Sequence, residues 1–410
     1  MQDALLSPVM ATAPLTRTST SSSDSTSSST RSAASNDSST TLVGALDIKG
    51  CPTPPLRILD VCHDCAAVLP PVDPRLDPLP INTRLGTKIP LNALADAFTC
   101  SLSASLARMD RAPCLRVILA TDDSGCKTYL AQMQRVCASL GVVLDPIDLR
   151  NWSHGHDQFR AIRKTILSAN RDDAVDGILV LFPIFALTCP EKDDALRALI
   201  DPRIDAEGTH PAHLTATYAR APLVRLDTRK PPLRELIYPC TPLAVMLALH
   251  RVPGLFDPGV PVEQSLRGKT VTIVNRSEIV GRPLAGMLAN CGALVYSIDA
   301  DSTHIYHRHR HAVRRASEPS FCLCTTSGPS LNTCLADSDV IISAVPSAKF
   351  KVPTHHIRPG ASCINISEHD NFEDDVATRA GHVAGRIGRI TNLVLVMNML
   401  TLAARYRRRQ

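Results

Sequence analysis

Val274-Asn-Arg-Ser-Glu-Ile-Val-Gly-Arg-Pro283 is the stretch that decides the fold. A β-branched run from Thr270 to Asn275 leads into it and reads as a strand. The spacing from Arg282 to Asn290 predicts a helix, and Ala293 to Asp299 a second strand. Strand, turn, helix and strand in that order build the unit that holds a dinucleotide, whose pyrophosphate rests on free N–H groups at the helix N-terminus. The glycine fingerprint of such turns is degenerate here. Asn275 and Ser277 occupy glycine positions and only Gly281 survives. The expected cofactor wall is therefore Asn275, Arg276, Ser277, Val280, Gly281, Arg282 and Pro283, identified by the order of elements around them.

Asp299 ends the second strand, 18 residues after Gly281. A carboxylate there accepts hydrogen bonds from both ribose hydroxyls of NAD. NADP would set a phosphate dianion against it, and one like-charge pair at ~4 Å costs about 4 kcal/mol near a protein surface. NAD is the expected cofactor. Val345 and Pro346, after the strand ending in Ser343, are expected to line the nicotinamide pocket.

Working outward, the same alternation fills the first half of the chain. Asn92 to Met109 has helical spacing, Leu115 to Ala120 reads as a strand, and Tyr129 to Leu140 as a helix stopped by Gly141. A strand from Val142 to Leu149, a helix from Phe159 to Ala169, a buried strand from Gly177 to Phe182 and a helix from Glu191 to Leu199 follow. Alternation of this kind implies α/β architecture with parallel sheets covered on both faces. Pro239-Cys-Thr-Pro242 opens a helix with Thr241 as N-cap and Pro242 at its first position. Residues 301–335, rich in His, Arg and Ser, read as an irregular insertion; Ala361 to Ile366 is a further strand and Thr391 to Tyr406 a long apolar closing helix.

Composition removes several function classes. Of the 410 residues, 44 are Lys or Arg and 39 Asp or Glu, a formal +5. Four of those cations are the terminal Arg405, Arg407, Arg408 and Arg409, so the body is near neutral and lacks the basic face of a nucleic-acid binder. No apolar run approaches the ~18 residues of a membrane span. The 14 cysteines sit mostly in apolar segments without a framework, which fits free thiols in a reducing compartment. From Thr16 to Thr41, 19 of 26 residues are Ser or Thr, too polar to offset the entropy of ordering. Acids match its few arginines, which argues for a plain tail and a cytoplasmic protein over mitochondrial or plastid import. Residues 51–90 carry nine prolines and read as an extended arm. No metal site is expected. Cys62-His63-Asp64-Cys65 lacks a second ligand pair, and His304, His307, His309 and His311, with Cys322 and Cys324 beyond, are interleaved with arginines.

Tyr238-Pro-Cys-Thr-Pro242, Asn275 to Pro283, Ser338-Asp-Val-Ile-Ile-Ser343 and Gly388-Arg-Ile-Thr391 occur in order and at suitable spacing. Over roughly residues 91–406 the chain resembles the methylenetetrahydrofolate dehydrogenase family, and from Ile237 to Pro283 its monofunctional NAD-dependent, fungal-type branch. The resemblance implies a substrate α/β domain and a Rossmann-like dinucleotide-binding domain with a folate cleft between them, usually as a homodimer. It also implies oxidation of 5,10-methylenetetrahydrofolate to the 5,10-methenyl form. The division expected from it is a disordered tail over 1–45, a Pro-rich arm over 46–90, a folate-binding catalytic domain over 91–240 with the helix 391–406, and an NAD-binding domain over 241–390.

Carried over residue by residue, the resemblance assigns Tyr129, from the family's Tyr-x-x-x-Lys signature, as a wall of the folate site. The lysine position is Met133, which supplies neither charge nor proton, so the cyclohydrolase step should be missing. Arg135, two residues on, is turned about 200° away on a helix, Lys127, six residues back, about 120°, and neither replaces it. The folate-strand motif appears as Leu181-Phe-Pro-Ile-Phe185, with Pro183 retained and Leu181 in place of a glutamine. The acidic motif appears as Asp205-Ala-Glu-Gly208, where Glu207 takes the position that hydrogen-bonds the pterin's amino group. Gly388, Arg389 and Thr391 are expected to close the nicotinamide pocket. Two rivals stay open at this stage: a bifunctional NADP-dependent dehydrogenase/cyclohydrolase, which Met133 disfavours, and a non-catalytic NAD- or folate-binding regulator.

Overall fold

A parallel sheet needs helical crossovers, and the chain supplies them twice. The computed structural model describes residues 84–151, 155–185, 189–219, 236–308, 319, 321–324 and 328–406, all within one compact unit. The Ser/Thr-rich tail, Cys62 to Cys65, His309, His311 and most of the Pro-rich arm lie outside the described residues.

The first half runs β1 (Thr87–Lys88), α1 (Leu91–Leu106), β2 (Cys114–Leu119), α2 (Ser124–Leu140), β3 (Val143–Asp148), α3 (Gly155–Ala169), β4 (Gly177–Val180), α4 (Pro190–Leu199) and α5 (Pro211–Ala219). The second runs α6 (Cys240–Leu249), β5 (Thr270–Val274), α7 (Gly281–Asn290), β6 (Leu294–Ile298), β7 (Thr303–Arg308), β8 (Phe321–Cys324), α8 (Leu331–Asp337), β9 (Val340–Ser343), β10 (Ser362–Asn365), β11 (His382–Gly385) and α9 (Gly388–Tyr406). Strands β3-β2-β4 form a small parallel sheet. The larger sheet has the order β1-β11-β10-β9-β5-β6-β7-β8.

Local chemistry explains the boundaries. Asp123 caps α2 by accepting the Cys126 N–H at 2.8 Å, and Gly141 ends it in the left-handed region at φ 71°. The helix thus begins five residues before Tyr129. α9 is apolar on every side and every residue from Ile390 to Ala403 is buried. It packs on α1, α2 and α6 and touches β4, so the last helix in sequence completes the core of the first lobe.

Three expectations need correction. Residues 301–335 are not simply irregular: β7 and β8 form an antiparallel pair that extends the large sheet from β6, and α8 follows. Ile305 and Tyr306 are buried on opposite faces of the strand between polar neighbours, an apolar pair hidden by the His/Arg-rich composition. The large sheet is therefore mixed, parallel from β1 to β6 and antiparallel beyond. Thr241 is not the cap of α6, because Pro239 holds that place without a side-chain bond and Thr241 is already helical. The ten described cysteines with assigned states are all free thiols, and no described helix is long and apolar enough to cross a membrane.

Candidate functional site

The turn from β5 to α7 is built by side chains where a glycine-rich loop would use backbone alone. Asn275 Nδ2 donates to Ala344 O at 3.0 Å, joining the ends of β5 and β9, the two strands at which the sheet order reverses. Its Oδ1 accepts from the Ser277 N–H at 3.0 Å and the Ser277 hydroxyl at 2.9 Å. The Ser277 oxygen in turn accepts from the Val280 and Gly281 N–H groups, at 3.2 and 3.4 Å. A Cβ on Gly281 would lie 2.3 Å from Asn275 O, so this position tolerates only glycine. Arg282 and Pro283 continue the first turn of α7, Arg282 paired with Glu278 at 3.2 Å.

Asp299 follows β6 and is exposed, with Oδ1 accepting from the Ala300 N–H at 3.0 Å. Arg276 is strapped to the same β6–β7 turn, donating to Ser297 O at 2.8 Å, Ser302 O at 2.5 Å and Ser302 Oγ at 2.8 Å. Burial, then the charges of Arg276 and Arg282, hold the neighbouring His304 below the usual histidine range. Val345 is fixed by buried Asn371, whose Oδ1 accepts the Val345 N–H at 2.9 Å and whose Nδ2 donates to Val345 O at 3.1 Å; Pro346 comes next. Thr391 is buried and its hydroxyl bonds back to Ile387 O at 3.4 Å. Gly388 lies against the Gln132 side chain of α2.

In the first lobe the structure brings Tyr129 and Glu207 together, both half-buried. Burial, then the nearby Cys240 and Glu207, pushes the Tyr129 phenol well above its usual range. Burial, then the Asp205 carboxylate, pushes Glu207 up to about 8, against the pull of Arg197 and a 3.4 Å hydrogen bond from the Thr209 hydroxyl. Asp205 is itself fully buried, accepting the Gly208 and His210 N–H groups at 3.0 and 2.8 Å. Pro183 is exposed after β4, preceded by a cis peptide from Phe182. Met133 is completely buried in the core, while Lys127 pairs with Asp122 at 2.8 Å on the surface and Arg135 is exposed.

Several residues of this neighbourhood escaped the sequence reading. Arg197 of α4 lies over the Phe182 ring at 5.0 Å and brings a cation close to Glu207. Cys126 donates its thiol to Phe182 O at 3.5 Å, and burial raises that thiol to about 12, so it stays protonated. The cavity of about 690 Å³ between the start of α1 and the ends of β10 and β11 holds none of the expected residues. Glu368, Asp370, Glu373 and Asp374 line it and disfavour a pyrophosphate there.

Comparison with known proteins agrees with this geometry. Residues 89–207 match the family described as tetrahydrofolate dehydrogenase/cyclohydrolase, catalytic domain, and residues 239–316 its NAD(P)-binding domain. Over 296 residues, 71% of this chain and 86% of the relative, the sequence is 34% identical to the methylenetetrahydrofolate dehydrogenase [NAD(+)] of Saccharomyces cerevisiae. The protein of the same name from Schizosaccharomyces pombe is 32% identical over 315 residues, covering 76% of this chain and 91% of its own. The solved structure of the NAD-dependent 5,10-methylenetetrahydrofolate dehydrogenase from Saccharomyces cerevisiae superposes with a TM-score of 0.68 at 31% identity, covering 79% of this chain and 98% of that one.

Proposed function

This chain belongs to the tetrahydrofolate dehydrogenase/cyclohydrolase family, and from that premise we propose that it oxidises 5,10-methylenetetrahydrofolate to the 5,10-methenyl form with NAD and without a cyclohydrolase step. It is an oxidoreductase, and the observation that carries the monofunctional part is Met133, apolar and wholly buried where the hydrolytic members of the family place a lysine.

The residues present fit NAD. The cradle at Gly281 is one that a Cβ would fill, and Asp299 offers an exposed carboxylate to the ribose at the end of β6. When bound, NAD supplies the hydride-accepting carbon. Asn275 and Ser277 hold the turn in shape, and Arg276 fixes the β6–β7 turn that carries Asp299. Val345 and Pro346, held by Asn371, form one wall of the nicotinamide pocket. Tyr129 and Pro183 wall the folate, and Glu207 aligns the pterin through its amino group. The substrate's own amine lone pair assists departure of the hydride, so no general base is needed; these residues set distance and angle.

Two finer points belong to this reading. The division into a folate lobe over 91–240 plus 391–406 and an NAD lobe over 241–390 is supported by the packing of α9 on α1 and α2, with α6, at the boundary, packed on α9 as well. A reducing, cytoplasmic setting is supported by the free thiols, and a homodimer serving one-carbon metabolism and purine synthesis is what the resemblance to the family implies.

One assay tests the whole. Reduced nicotinamide should form from 5,10-methylenetetrahydrofolate with NAD, and 5,10-methenyltetrahydrofolate should hydrolyse only at its uncatalysed rate. Enzymatic hydrolysis would remove the monofunctional reading; a folded protein that binds NAD without turnover would favour a regulator.

Glu207 gives this function a pH signature. A pterin N–H needs a carboxylate to accept it, and Glu207 keeps its proton to about 8 in the free protein. kcat/KM for the folate should therefore rise as pH increases through about 8, and Glu207→Gln should flatten the profile and lower the plateau about tenfold. The ligand-free protein should behave oppositely. The native carboxyl is raised above its unfolded value, so its contribution to stability is full below about 4.5 and is lost as pH rises through about 8. A melting temperature that does not fall across that window, measured against Glu207→Gln, would contradict the assignment.

A further inference from the structure

Asn398 lies two turns beyond Thr391 on α9 and is buried. Its Nδ2 donates to Ala206 O at 3.0 Å and to Tyr238 O at 2.9 Å, with Cys240 Sγ at 3.6 Å. An amide nitrogen carries two hydrogens, and these two carbonyls take both. We propose that Asn398 is the positioning residue that aims Glu207 at the substrate, an inference that rests on the reading of Glu207 above.

The connection is geometric. Ala206 O belongs to the planar peptide unit whose nitrogen is that of Glu207, so fixing this oxygen fixes the plane from which the Glu207 side chain leaves. Cys240 holds the other side of the same residue. Its N–H donates to Glu207 O at 3.1 Å and its thiol to Ala206 O at 3.4 Å. The next residue, Gly208, stands at φ 76°, and a Cβ on it would lie 2.5 Å from Tyr238 O. The turn bearing Glu207 is thus pressed against the Tyr238–Cys240 segment, and Asn398 is the side chain that bonds to both.

The demand is for two donors on one atom. Aspartate in that place offers none and serine one, so either loses a bond that ties the turn bearing Glu207 to the Tyr238–Cys240 segment. The turn responds to that loss most easily by swinging, which carries Glu207 away from its aim. α9 also brings Gly388 against Gln132 of α2 at its N-terminal end, so the helix that carries Asn398 is held at both ends of the folate lobe's core.

The test uses the full chain with Asn398→Ala, Asn398→Ser, Glu207→Ala and the double variants, measuring kcat and KM for each substrate separately. Asn398→Ala should raise KM for methylenetetrahydrofolate about 10- to 30-fold while KM for NAD stays within about twofold. In the Glu207→Ala background the same substitution should cost less than about threefold, because its effect travels through Glu207. Asn398→Ser, which keeps one donor, should fall between the wild type and alanine, and it carries the test if the alanine variant does not fold. Equal losses for both substrates, or additive penalties, would overturn the inference and leave Asn398 a general core residue. If Glu207→Ala itself leaves the folate KM unchanged, the reading of Glu207 fails; if it weakens folate and the Asn398 variants do not, only the inference falls.

Discussion

Replacing Gly281 with alanine should remove NAD-dependent turnover almost entirely, lowering kcat/KM for NAD by at least about 100-fold while folate binding survives. The added Cβ would sit 2.3 Å from Asn275 O and 2.6 Å from Asn275 C, both backbone atoms that no rotamer change can move aside. Asn275 cannot retreat cheaply, because its Nδ2 is bonded to Ala344 O and its Oδ1 to Ser277. Overpacking of this kind costs about 1–3 kcal/mol even where the surroundings relax, and ~3 kcal/mol is already more than 100-fold in affinity. Here relaxation means unravelling the turn proposed to hold the pyrophosphate. The first lobe does not share this turn, so binding of methylenetetrahydrofolate followed by fluorescence should be within about twofold of wild type. A variant whose KM for NAD stays within threefold would place the pyrophosphate somewhere other than this turn.

Gly281 was legible because strand, turn and helix surround it in sequence and only a residue without a side chain fits the expected approach. The partners of that turn were not. Asn275 reaches Ala344, 69 residues away, and nothing local marks an asparagine as a bridge between two strands. The same holds for Asn371, which grips Val345, and for Asn398, which bonds carbonyls 192 and 160 residues distant. Buried amides of this kind read in sequence as ordinary polar residues of a loop or helix; their role appears only when the carbonyls they satisfy are brought beside them. Hydrophobic periodicity placed the helices and parallel strands well, since burial on both faces leaves a continuous apolar run. It failed at β7, where Thr303-His-Ile-Tyr-His-Arg308 buries two large side chains among polar ones. It failed again at Thr241, where a side chain suited to capping lies one residue inside a helix whose cap is Pro239. The helix that carries Thr391 is legible but its facing is not, because the 19-residue α9 is apolar all round and its pattern names no face.

Asp299→Asn should shift the preference for NAD over NADP by about 100-fold toward NADP, about tenfold through a lower KM for NADP and about tenfold through a higher KM for NAD. The carboxylate stands exposed at the end of β6, the place proposed above for the adenine ribose, where it would repel a phosphate on that ribose. Its neutral replacement keeps the shape and still accepts the Ala300 N–H. What remains in the turn then favours an anion, because the Arg276 guanidinium is held there by Ser297 O, Ser302 O and Ser302 Oγ with its charge no longer opposed by Asp299. NAD should lose only the hydrogen bonds from its ribose hydroxyls to a charged acceptor, about tenfold in KM. Because the site is open to water, the gain for NADP should shrink as salt is raised from 0.05 to about 0.5 M, whereas a purely steric relaxation would not respond. Adding Arg276→Ala to Asp299→Asn should cancel most of the gain, since the cation that receives the phosphate is gone. A ratio of kcat/KM values unchanged by Asp299→Asn would mean that the preference for NAD is set by a residue other than the carboxylate at the end of β6.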